Sequence, residues 1–207
     1  IGDVLPTRVV KSGAGNTLPK GAPEFTTLAT VYEINLRVEE AYTGTKPDLT
    51  KLPRPDDRAL AIQTLEGFWK EFIEIQPYAH SLADPSEDGD QKRKDIREGS
   101  LACKPIVQRI LAEVILELQV GVDDKDKLGI PEIVSRINQL DWSPDNGMWQ
   151  GVLLNGDKVI AGAGPLKTAA RVIAYLLGQP LEKRELEKLQ ETYSANVPGK
   201  KLPDPLF

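Results

Sequence analysis

Apolar residues recur at Ile106, Val107, Ile110, Leu111, Val114, Ile115 and Leu118 in the stretch PIVQRILAEVILEL, the i, i+3, i+4 spacing of a helix face turned toward a core. Pro105 suits the first helical position, where the missing N–H would find no partner anyway, and Gly121 suits the end. Gln108, Arg109, Glu113 and Glu117 make an opposite polar stripe, but Ala112 and Leu116 interrupt it. A helix apolar over so much of its circumference needs other helices packed around it. The same periodicity supplies them. Residues 25–42 predict a helix capped by Thr26 or Thr27, with Leu28, Val31, Asn35, Val38 and Tyr42 on one stripe and Gly44 at its end. RALAIQTLEGFWKEFIEI predicts a second, opened by the carboxylates of Asp56 and Asp57 and stopped by Pro77. Its broad apolar face carries Leu60, Leu65, Phe68, Trp69, Phe72 and Ile73, and Trp69 reads as core. Pro131 opens PEIVSRINQL, with Ile133, Val134, Ile137 and Leu140 inward. Pro165 opens a further helix whose apolar positions Ala169, Val172, Ile173, Leu176 and Leu177 end at Gly178, and LEKRELEKLQETY turns Leu181, Leu186 and Leu189 inward.

Strand signals are few. Residues 151–154 and 158–161 flank Asn155-Gly156, the favoured dipeptide of a tight hairpin. Just before them SPDNG predicts a turn, with Pro144 fixing φ and Asn146-Gly147 able to take positive φ, clamped by the flanking Trp142 and Trp149. Residues 1–24 are punctuated by Gly and Pro and read as a linker or arm, in which 7–10 could complete the sheet of an upstream domain. The stretches GTKPDLTKLPRP and VDDKDKLG read as loops, and 196–207 as a tail that docks on the surface or dangles. The fold class is therefore mainly α with one short β-hairpin, a helical bundle around a central buried helix, with the helical domain spanning 25–195.

Composition narrows the function classes. At 207 residues, 40% hydrophobic and 28% charged, the chain is an ordinary globular domain, neither disordered nor fibrous. A net charge of -5 and a pI near 5.1 argue against a surface coated in nucleic-acid-binding cations, so any DNA contact must be local. The lone Cys103 and lone His80 form neither an internal disulfide nor a structural zinc site, and a reducing compartment is the simplest reading. No long apolar window predicts a membrane span.

The densest cationic cluster is Lys92, Arg93, Lys94 and Arg97 in ADPSEDGDQKRKDIR. These are the candidate nucleic-acid-binding residues, although Glu87, Asp88, Asp90 and Asp95 would screen them in a solvated loop. GAGPLKT departs from a phosphate-binding loop, because Pro165 and Leu166 separate Gly164 from Lys167. His80 has no Ser or Cys partner at a telling spacing and reads as a surface or capping residue. The neighbouring carboxylates Glu39-Glu40 and Asp56-Asp57 diverge on a helix and do not make an acid/base dyad. The residues thus nominate no catalytic group, no cofactor site and no metal site.

LDWSPDNGMWQGVLLNGDKVIAGAGPLKTAARVIAYLLGQPL resembles the C-terminal region of DGQHR-domain proteins, the DndB-like family of bacterial DNA sulfur-modification systems. The likeness lies in a short helix, Asp-Trp-Ser, a second Trp-x-Gly, a hairpin, and a helix ending in Leu-Gly-x-x-Leu. FTTLATVYEINLRV and PIVQRILAEV are similar in placement to the family's helical tail, so the resemblance covers 25–181. The Asp-Gly-Gln-His-Arg motif is absent, and no residue of it is carried onto this chain. The resemblance implies the helical C-terminal part of a protein whose ParB-like, motif-bearing domain precedes Ile1. It further implies a cytoplasmic DNA-binding regulator of transcription in a phosphorothioation gene cluster, rather than a sulfur-transfer enzyme. DNA would be the partner, contacted mainly through the upstream domain. The alternatives are a scaffold shaping the cleft of a ParB-like nucleotide-dependent enzyme, and a module that holds a partner protein or a second copy.

Overall fold

The computed structural model describes residues 4–13, 15–120, 127–160, 162–197 and 199–207. Among them are eight α-helices: α1 (Leu28–Thr43), α2 (Pro55–Phe72), α3 (Gln76–Leu82), α4 (Asp90–Gly99), α5 (Pro105–Val120), α6 (Ile130–Ile137), α7 (Ala163–Leu176) and α8 (Lys183–Asn196). Four two-residue strands form two pairs, β1 (Val10–Lys11) parallel to β2 (Thr26–Thr27) and β3 (Leu154–Asn155) antiparallel to β4 (Lys158–Val159). Mainly α with a short hairpin is the observed class.

α5 is the axis of the fold. Its buried residues include Val107, Ile110, Leu111, Ala112, Val114, Ile115, Leu116 and Leu118, with α1, α6 and α7 packed on it. Gln108, assigned by its polarity to the outer stripe, is instead 1% exposed. Its Oε1 accepts from Thr26 Oγ1 at 2.6 Å and its Nε2 donates to Phe25 O at 3.2 Å, so the buried amide is satisfied and ties β2 to α5. The β1–β2 pair is absent from the sequence reading. Val10 pairs with Thr26, and Leu5 and Val9 are buried beside it.

Thr27 caps α1 by accepting the Thr30 N–H at 3.1 Å, and Gly44 ends it in the left-handed region at φ 69. The inward stripe is Thr30, Val31, Ile34 and Val38; Leu28 and Tyr42 are exposed, while Asn35 accepts the indole N–H of Trp69 at 2.7 Å. α2 buries only its C-terminal half, where Phe68, Trp69 and Phe72 form an aromatic cluster with Tyr78 of α3. Leu60, placed in that apolar face by the sequence, is 64% exposed because the first turns of α2 have no core beneath them. Pro77 does not stop α2; it sits in the first turn of α3, where its missing N–H is harmless.

Trp142 and Trp149 stack at 4.8 Å with 6° between their planes. Their indole N–H groups donate to Ile137 O at 3.0 Å and Asp141 O at 2.7 Å, which pins the SPDNG turn to the end of α6. Asn146 keeps a negative φ of -69 and its side chain caps the short 3-10 turn Gly147–Trp149, so neither residue needs positive φ. Gly151 does, at φ 77, and a Cβ there would meet Asn196 O at 2.3 Å. The hairpin loop is Gly156-Asp157 with Asn155 inside β3, one residue later than the dipeptide suggested, and 151–153 form a turn before it. α7 starts at Ala163, two residues before Pro165. Leu189 and Tyr193 of α8 are buried, Leu181 and Leu186 half-buried, and the tail docks: Leu206 N donates to Leu176 O at 3.0 Å, and the Arg136 guanidinium lies 4.8 Å over the Phe207 ring. The expected helix end at Gly121, most of the VDDKDKLG loop and Ala161 lie outside the described residues.

Trp149→Ala, which removes a fully buried stacked ring, is expected to destabilise the fold by about 3 to 5 kcal/mol. Leu60→Ala should stay within about 0.5 kcal/mol, as surface changes do. Urea denaturation of the two variants beside wild type checks the contrast, and equal midpoints would refute it.

Candidate nucleic-acid interface

The segment expected as a solvated loop folds into α4 from Asp90 onward, and its helical period sorts the four cations into two kinds. Arg93 and Arg97, four residues apart, face inward with the half-buried Ile96 between them. Arg93 is 3% exposed; its Nε donates to Pro23 O at 3.0 Å, its Nη2 to Ser86 O at 2.7 Å and its Nη1 to Asp84 O, and it pairs with Asp90. Arg97 is buried as well, with Nη2 donating to Pro19 O at 3.1 Å, while Lys104 Nζ donates to Arg97 O at 2.9 Å. These two guanidiniums therefore fasten the 19–23 segment and the 84–86 turn onto α4. Lys92 is exposed and Lys94 half-buried, so they are the outward cations of the group. Acidic neighbours remain: Arg8 pairs with Asp90 at 3.1 Å and Glu87 at 3.5 Å, and the Ser86 hydroxyl and N–H hold the Asp84 carboxyl below the usual range. The sequence reading missed the division because an inward stripe of Arg, Ile and Arg carries no hydropathy signal.

A cleft of about 650 Å³ lies between α1, α5 and α7. Ile34, Ile110 and Ala170 lie at its base, and ion pairs line its rim. Arg37 donates to both Glu113 oxygens at 2.8 and 2.6 Å, which holds its guanidinium above the ordinary value although burial opposes the shift. Arg109 pairs with Glu33, and Arg171 approaches Glu185 at 3.5 Å. These pairs occupy the three arginines of the lining, and Lys167, also in the lining, is exposed. In GAGPLKT, Pro165 occupies the third position of α7, which removes one N–H from the turn that would have to cradle a phosphate. His80 is exposed in the last turn of α3, and no described group of three or more His, Cys, Asp or Glu is placed to hold a metal. No described helix is long and apolar enough to cross a membrane.

Cys103 sits in the short turn Leu101–Cys103 between α4 and α5, fully covered. Burial pushes its thiol up to about 12, so it stays protonated and is no nucleophile at neutral pH. Tyr78, also buried, donates to Ala102 O at 2.8 Å, and burial raises its phenol well above the ordinary value. Both groups hold their protons in the folded state after the unfolded chain has lost them. Stability is thus unaffected below the ordinary thiol value of 9.0 and falls as pH rises toward 12, by up to about 1.4 kcal/mol per pH unit from Cys103 alone. Cys103→Ala should flatten that decline between pH 9 and 10, before Tyr78 contributes; urea midpoints measured against pH test this, and parallel curves would refute it.

Comparison with curated proteins and with solved structures finds no match. A family model described as DndB, DNA-sulfur modification-associated, matches residues 13–180, from the chain ahead of β2 to the end of α7. That match takes in the central helix, the paired tryptophans and the hairpin, well over half the sequence, and the chain belongs to the DndB, DNA-sulfur modification-associated family.

Proposed function

We propose that this chain is the helical part of a cytoplasmic DNA-binding regulator of a DNA phosphorothioation gene cluster. Membership of the family over residues 13–180 is the observation that supports the reading. Its physical requirement is a local set of outward cations, because a net charge of -5 gives the chain as a whole no attraction for DNA. In this reading Lys92 and Lys94 meet backbone phosphates. Arg93 and Arg97 act through them as positioning residues, holding α4 against the 19–23 segment by their bonds to Pro23 O and Pro19 O. Contacts of this kind set affinity and register without reading bases.

A salt titration of duplex-DNA binding tests the reading. Each phosphate neutralised contributes ~0.9 to the slope of log affinity against log salt, so Lys92→Ala with Lys94→Ala should flatten the slope by up to ~1.8 with base preference unchanged. Arg93→Ala and Arg97→Ala should lower the thermal midpoint as well, since each removes a buried side chain whose bonds hold the 19–23 segment on α4. Unchanged slopes in the lysine variant would make α4 a solvated face and remove it from the interface.

A further inference from the structure

α1 and α2 pack on each other, and the end that joins them stands clear of the core. Every residue from 48 to 60 is exposed. Large apolar side chains collect there: Leu52 is 95% exposed, Leu49 and Leu60 64%, and Ile62 48%. A lone exposed leucine is ordinary, but four large apolar side chains exposed within residues 49–62 mark a candidate contact surface. The charges around it indicate the chemistry of the partner. Lys46, Lys51, Arg54 and Arg58 flank Leu52 along the chain and are all exposed, and Lys46 and Arg58 have no ion-pair partner among the described residues. Lys51 pairs with Asp48 at 3.0 Å and Arg54 with Asp57 at 2.8 Å, with both cations more than 80% exposed. Pairs this open are weak and screened by salt, so both cations can exchange a carboxylate for a phosphate at little cost. Asp56, the remaining acid, lies in the first turn of α2, where the helix dipole favours it. On α4, by contrast, two of the four cations are spent on internal carbonyls. Pro53 adds a conformational point: it restricts Leu52 to extended backbone, which limits how far the loop can fold the side chain away.

We propose that the α1–α2 tip, residues 46–62, is a duplex-DNA contact in which Lys46, Lys51, Arg54 and Arg58 bind backbone phosphates on either side of a groove and Leu52 enters it as an apolar wedge. Cations flanking a leucine next to a proline are the equipment with which proteins enter a minor groove and loosen a base step. The inference rests on the DNA-binding reading above and gives it a second surface, more open than α4.

The experiment uses the whole chain and a duplex carrying 2-aminopurine, whose fluorescence rises when a base step unstacks. Wild type is expected to bind with a salt-dependent affinity and to raise the signal. Replacing Lys46, Lys51, Arg54 and Arg58 together by Ala should flatten the salt slope by up to ~3.6. Leu52→Ala should keep the slope and lose the fluorescence rise, and because these side chains are exposed, both variants should melt with wild type. A wild-type slope that the tip variants leave unchanged overturns the inference while leaving the DNA reading intact, with the α4 lysines then accounting for the slope. If wild type does not bind duplex DNA at any salt concentration, the reading and the inference fail together. If the tip variants bind DNA as wild type does but Leu52→Ala abolishes self-association in sedimentation, the tip is a protein contact and the inference is overturned.

Discussion

A helix that is apolar on nearly every side cannot leave any side to water, and α5 imposes that condition on the whole molecule. Val107, Leu111, Val114 and Ile115 are completely buried, and Ala112 and Leu116 extend the burial to the side where a surface helix would be polar. α1, α7 and α6 exist as cover for it, and each brings its own apolar stripe. The one amide admitted to this environment, Gln108, is held between Thr26 Oγ1 and Phe25 O, and so converts the strand-like entry to α1 into part of the cover. An unsatisfied amide there would carry a desolvation penalty of about 1 to 3 kcal/mol, so the register of β2 on α5 is set by hydrogen bonding more than by shape.

How far the fold was legible depended on whether side-chain polarity and burial agreed. In α6, the C-terminal half of α2 and, Gln108 apart, most of α5 they did, and the apolar spacing located the inward face. They disagreed in α4, where the inward positions belong to Arg93 and Arg97 and the bonds that justify burying them go to carbonyls of distant segments. They disagreed also in the first turns of α2, which are helical and apolar enough to suggest a buried face yet have nothing beneath them. Both failures touch the same question, because the cations that the sequence put on the surface are partly inside, while Leu60, which it put on an inward face, is on the surface. The candidate interface was legible as composition but not as geometry.

The family resemblance rested on a tryptophan pattern, Asp-Trp-Ser followed by Trp-x-Gly, and the structure gives that pattern a mechanical reason. Trp149 stacks on Trp142 and bonds to Asp141 O, and Gly151, two residues on, passes so close to Asn196 O that no side chain fits. The ring pair and the glycine together press the turn between α6 and the hairpin against the end of α8. Such a pattern reports a junction between helices. It says what shape the region takes.

The cover of α5 also has an order in time. Roughly fifty residues separate the end of α5 from the end of α7, so on a ribosome making ~5 to 20 residues per second the central helix emerges ~3 to 10 s before its last large partner. During that interval Val172 and Ile173 do not yet shield it, and the most apolar helix of the chain is open to other nascent chains. A fold organised from the middle outward therefore exposes its most apolar surface early in synthesis, however stable it becomes afterwards.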